Sequence, residues 1–167
     1  MYGFFMSCNL SFAETATDQM NVSANVTNTC VASAERMDFG KYNTQAALYE
    51  QIVISVQCTQ GLNFTIATDD SDTEYTMRQG ENNLYYKLYE DPTHKVPLGG
   101  LSVIHGVSTG RTQKVLIYAE IPKGQNVPNG NYNDYIHIIF STIDFSGNGN
   151  DSEYQVYLNI PVNTRKL

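Results

Sequence analysis

Apolar and polar residues alternate in short runs along most of this chain, and turn residues separate the runs. A period of two is the mark of strands with one buried face. Met20, Val22, Ala24 and Val26 share one face, and Asn21, Ser23 and Asn25 the other. Ile52 to Cys58 and Asn63 to Ala67, with Gly61 between them, read as a hairpin. The acidic run Thr68 to Asp72 reads as a loop. Leu84 to Tyr89 reads as a strand stopped by Asp91-Pro92, and a turn-rich stretch then ends near Thr112. Gln113 to Ile121 and Tyr132 to Phe140 are the two strongest strands. Pro122, Gly124, Pro128 and Gly130 between them are barred from a central strand.

After Phe140 the composition changes. Ser146 to Ser152 is built of Ser, Gly, Asn and Asp and reads as a flexible linker. One more alternating run follows, in which Tyr154, Val156, Leu158, Ile160 and Val162 share a face. It predicts a further strand beyond the obvious core, with Pro161 near a strand end or at a sheet edge.

Several short strands at this spacing predict an all-β sandwich rather than a parallel sheet crossed by helices. Composition agrees: 12 Tyr, 7 Phe, no Trp and 16% charged residues favour strands. A length of 167 residues suits one well-filled domain. The net charge of −7 argues against nucleic acid or an anionic membrane as partner, since phosphate binding needs clustered Lys and Arg.

The first thirteen residues are apolar and small, and Ser11-Phe12-Ala13 offers a small-x-small cleavage pattern. We expect residues 1–13 to be the remnant of a signal peptide, although no Lys or Arg precedes Arg36. A folded N-terminus is the alternative. Cleavage there would remove Cys8 and leave Cys30 and Cys58 as an even pair in an exported protein, whose union is the natural inference. Two buried free thiols are the alternative. No Cys or His spacing suggests zinc.

Five stretches carry a resemblance in order along the chain: Cys30-Val31; Phe39-Gly40-Lys41-Tyr42; Ile54 to Thr59; Leu84 to Asp91; and Ile121-Pro122 through Gly130 to Asp134. From Thr17 to Thr142 the chain resembles the spore coat protein U family, subunits of archaic chaperone–usher pili. The resemblance implies an immunoglobulin-like β-sandwich that lacks its last strand, with Cys30 and Cys58 joined. It also implies export to the cell surface, with neighbouring pilin subunits, a periplasmic chaperone and an outer-membrane usher as partners, and no cofactor. In such pili an N-terminal extension fills the groove of the next subunit, because an open edge beside exposed core side chains must be covered.

On this reading residues 14–29 form a donor-strand extension with Met20, Val22, Ala24 and Val26 as its apolar face. An ordinary first strand would show the same alternation. The sandwich body spans 30–142, and 143–167 is a linker plus a C-terminal strand. That strand is a second candidate to fill the groove through Tyr154, Val156, Leu158, Ile160 and Val162. It would act in cis to give a self-complemented subunit, or pack as an extra edge strand.

Catalysis has little support. His94, His105 and His137 are scattered, and nucleophile-elbow, HExxH and phosphate-loop patterns are missing. Asp69, Asp70 and Asp72 lack the Gly and Glu of a calcium loop and read as a solvated turn. An adhesive, sugar-binding role would fall to exposed Tyr85, Tyr89 and Tyr135, although cross-strand tyrosines are more often packing.

Overall fold

The structure is a computed structural model, and it describes residues 28–69, 73–144 and 152–166. The expected signal segment, the extension carrying Met20 to Val26, Asp70, Asp72 and the centre of the linker lie outside these residues. Ten strands make up the described chain, without a helix: β1 Cys30–Ala34, β2 Met37–Tyr42, β3 Leu48–Cys58, β4 Asn63–Thr68, β5 Glu74–Gln79, β6 Asn82–Tyr89, β7 Ile104–Val107, β8 Gln113–Ile121, β9 Gly130–Asp144 and β10 Ser152–Lys166.

Hydrogen bonding links the strands in the order β1-β3-β8-β6-β5-β9-β10-β2, with β4 bound to β9 and β7 to β4. β1 and β2 stand at opposite ends of that path, yet only Glu35 and Arg36 separate them in the chain. The path must therefore curl back on itself. The result is two facing layers, β1-β3-β8-β6 and β2-β10-β9-β4-β7, with β5 turning the corner through one pair, Arg78 with Asn133. This is an immunoglobulin-like sandwich. Its β8–β9 corner carries the tyrosine latch common in such folds, as the Tyr132 hydroxyl near the start of β9 donates to the Pro128 carbonyl at 2.8 Å.

The expected hairpin of Ile52–Cys58 with Asn63–Ala67 does not form. Both edges of β3 are already taken, by β1 and β8, while β4 pairs with β7 and β9 in the other layer. The turn at Gly61 carries the chain across the sandwich instead of back along the sheet.

Alternation fills the core. Ile52, Ile54 and Val56 of β3, Ile117 and Ala119 of β8, and Leu84 and Leu88 of β6 face Phe64, Ile66, Ile136, Ile138 and Phe140 of the second layer. Tyrosines bury their rings and keep their hydroxyls bonded, as buried phenols must. Tyr86 lies edge-on to Phe39 at 6.0 Å between ring centroids and donates to Asp134 at 2.7 Å, which ties β6 to β2 and β9. Gly106 of β7 faces Phe64, and a Cβ there would fall 2.2 Å from the ring, so a side chain at 106 would force the ring aside.

Cys30 and Cys58 are direct partners in the β1–β3 register and are joined by a disulfide, with Cα atoms 4.0 Å apart. The bridge fastens an edge strand to its neighbour and closes a loop with a sequence separation of 28. Replacing both cysteines by Ser should cost roughly 3–4 kcal/mol by the loop-entropy argument. A denaturant midpoint that does not move would show that β1 holds without it.

A slot between two strands as the candidate functional site

The strand beyond the linker lies inside the second layer and not at its margin. β10 runs antiparallel to β9 over its whole length, from Ser152 with Asp144 to Lys166 with Gly130. On its other side it runs parallel to β2, with Val162 opposite Met37 and Lys166 opposite Tyr42. The slot so occupied has an apolar floor. β9 contributes Ile136, Ile138 and Phe140, and β2 contributes Met37 and Phe39, all of them buried.

Each inward residue of β10 meets this floor in register. Leu158 pairs with Ile138, Ile160 with Ile136, Val162 with Asp134 and Thr164 with Tyr132. Val156 and Leu158 are half-buried against the core, whereas Ile160, Val162, Thr164 and Lys166 are buried. Of Tyr154 only the backbone is described, opposite Thr142. Thr164 donates its hydroxyl to the Gly40 carbonyl at 3.0 Å, and the Lys166 ammonium donates to the Val127 carbonyl. The inward face therefore continues two positions past Val162. The apolar period of two ends at Val162 because Thr and Lys break it, although their hydrogen bonds let them go under.

The β2 wall needs one irregularity. Between Asn163 and Arg165 the register slips by one residue, so buried positions on β2 run Met37, Phe39, Tyr42. Gly40 absorbs the extra residue at φ 74°, a left-handed value that favours glycine. The slip sends Lys41 outward and Tyr42 inward, where its hydroxyl donates to the Pro122 carbonyl at 2.9 Å.

Pro161 is the last β10 residue before the β2 ladder begins. Up to that point β10 has a ladder on one side only. A residue with no N–H is compatible with that half-edge setting.

The other sequence candidates are not brought together. His137 faces outward and meets Asn159 at 2.7 Å, His105 lies on β7, and His94 sits in the β6–β7 connection. Among the described residues no group of three His, Cys, Asp or Glu side chains could hold a metal ion. Tyr135 and Tyr85 are exposed as expected. Tyr89 is not. It is 8% exposed, and its hydroxyl donates to Glu120 at 3.0 Å, with burial first and the carboxylate second pushing its pKa up to about 12.

The Spore Coat Protein U domain matches this chain from residue 16 to residue 139. The chain belongs to that family. Protein U of Myxococcus xanthus is 31% identical over an alignment 158 residues long, with 80% of this chain and 87% of that protein covered. The family match begins at residue 16, within the expected extension of 14–29, and ends inside β9, so β10 lies outside it.

Solved structures with some likeness include AggA, the major subunit of aggregative adherence fimbriae type I from Escherichia coli (9% identity, TM-score 0.43, 86% of this chain and 98% of that one). Another is the Salmonella SafD adhesin (11%, 0.39, 80% and 96%). A third is PapD-like domain 7 of human CEP192 (8%, 0.41, 90% and 98%). Scores this low add nothing to the assignment of fold, which rests on the strand pairing.

Proposed function

We propose that this chain is a structural, non-catalytic subunit of a surface fimbria or coat, and that it completes its own sandwich in cis. The observation that carries the reading is the seat of β10 between β9 and β2, in a slot that would stand open without residues 152–166. Such a slot exposes a row of backbone groups and an apolar floor, and it must be covered by its own chain or by another. Here the covering strand follows β9 after 145–151, a span short enough to give it a high effective concentration over any free donor.

Residues 16–27 fall within the family match. We assign Met20, Val22, Ala24 and Val26 the role of donor face for the slot of a neighbouring subunit, reached by export through the periplasm with a chaperone and an outer-membrane usher. A subunit built this way gives a strand and accepts none, so it would end a chain of subunits.

Val22→Asp or Val26→Asp places a carboxylate where a dry groove would receive it. The expected result is a subunit that folds and melts as before but no longer joins the fimbrial fraction when expressed with its partner subunits. Loss of the melting transition in the purified variant would make the segment an internal strand and remove the donor role.

A further inference from the structure

On the opposite layer, two unfavourable features meet at one residue. His94 is the only non-glycine residue with positive φ among the described residues, at 55°. Its Nε2 is buried without a hydrogen-bond partner among them. A left-handed histidine and an unsatisfied buried nitrogen each cost free energy, and together they point to a function held in place by the surroundings. The holding device is Asp91. Its carboxylate accepts the backbone N–H groups of Thr93, Lys95 and Val96 at 2.8, 3.0 and 2.7 Å, and the Thr93 hydroxyl as well. These bonds, the Thr93 hydroxyl first, keep the Asp91 carboxyl ionised down to about pH 2.

The loop so fixed presses the imidazole among three tyrosines. Ring centroids lie 4.8 Å from Tyr49, 5.1 Å from Tyr89 and 6.1 Å from Tyr118. Gln51, Tyr118 and Tyr89 are neighbours across β3, β8 and β6, and Tyr49 stands opposite Glu120. Beside the imidazole a hollow of about 250 Å³ opens, lined by Tyr49, Glu50, Gln51, His94 and Tyr118. Tyr49 is 55% exposed, so its ring is available on the rim.

We propose that this hollow binds one uncharged sugar ring. A pyranose has an apolar C–H face and a polar hydroxyl rim, and the site offers the complement of each. The Tyr49 and His94 rings supply the stacking wall, while the Glu50 carboxylate, the Gln51 amide and the Tyr118 hydroxyl supply polar groups at the margin. No Lys or Arg lines the hollow and Glu50 does, which disfavours an anionic ligand. Its volume lies below the roughly 300–1,000 Å³ of sites for drug-sized ligands and suits a single ring. The site is built by β3, β6 and β8 and does not depend on how the β9–β2 slot is filled.

The test titrates the ¹⁵N-labelled full chain with the methyl glycosides of glucose, galactose, mannose and N-acetylglucosamine. At least one should give saturable amide shifts confined to Tyr49, Gln51, His94 and Tyr118, with a Kd on the order of 1 mM. Tyr49→Ala should weaken binding about tenfold. His94→Asn, which keeps a residue tolerant of left-handed φ, should weaken it similarly with the rest of the spectrum unchanged. Shifts elsewhere, no saturation with any of the four glycosides, or full affinity in both variants overturns the proposal. So does saturation of the same residues by a polyproline peptide and by none of the sugars.

Discussion

Deletion of Ser152 to Leu167 should convert a stable monomer into an aggregating or partner-dependent species. Ile160 and Val162 are 1% and 0% exposed. Full burial of such side chains stabilises by about 1.5–3 kcal/mol each, and half-buried Val156 and Leu158 add fractions of that. A sum of about 5–8 kcal/mol is comparable to the whole stability of an ordinary domain, about 5–15 kcal/mol. The loss is larger than the sum suggests, because deletion also uncovers Ile136, Ile138 and Phe39 and leaves both β9 and β2 with unpaired edges. The truncated chain should lose its cooperative melt and bind a hydrophobic dye. A synthetic peptide of residues 152–167 added in trans should restore both properties. An unchanged melting temperature would reduce β10 to decoration.

A single charge on the inner face should come close to the deletion, and the same charge on the outer face should do nothing. Val162 lies opposite both Asp134 and Met37. Val162→Asp would put a carboxylate into the core opposite the carboxylate of Asp134, at a cost of about 3–5 kcal/mol. For a chain of this size that is a fall of roughly 6–20 °C in melting temperature. Tyr157→Asp, at a position 64% exposed, should stay within about 0.5 kcal/mol. Burial raises the folded-state pKa of the new carboxyl, so the charge penalty grows as pH rises above the unfolded value of about 3.9. The gap between the two variants should therefore narrow as pH falls toward about 4. A gap that widens on acidification would mean that the 162 side chain is not buried.

The alternation from Ile52 to Cys58, Gln113 to Ile121 and Tyr132 to Phe140 was legible because the buried positions of each strand, such as Ile52, Ile54 and Val56, Ile117, Ala119 and Ile121, and Ile136, Ile138 and Phe140, recur on one face. β1, β5 and β7 were not. β7 is four residues with no buried position, β1 carries only half-buried ones, and β5 mixes Glu74, Thr76 and Arg78 with two inward residues. The strand pairing of β3 was hidden as well. Its sequence specifies a buried strand, but whether its neighbours come from the next run or from remote β1 and β8 is decided by the sandwich.

At the slot, Val156 to Val162 were readable from period two, and Thr164 and Lys166 were not, because their burial depends on acceptors at Gly40 and Val127. The left-handed His94 had no signal beyond its proline-flanked turn. It takes its meaning from Tyr49, Tyr89 and Tyr118, which lie on three different strands.

Cis completion is tested most directly by a covalent trap. Asn133 on β9 and Asn163 on β10 are register partners on the outer face. In the Asn133→Cys, Asn163→Cys double variant, mild oxidation should give a chain of monomer mass that carries a 133–163 link, read by peptide mapping without reduction. A ladder of dimers and higher species joined through 133 and 163 of different chains, or no link between these positions, would contradict the account.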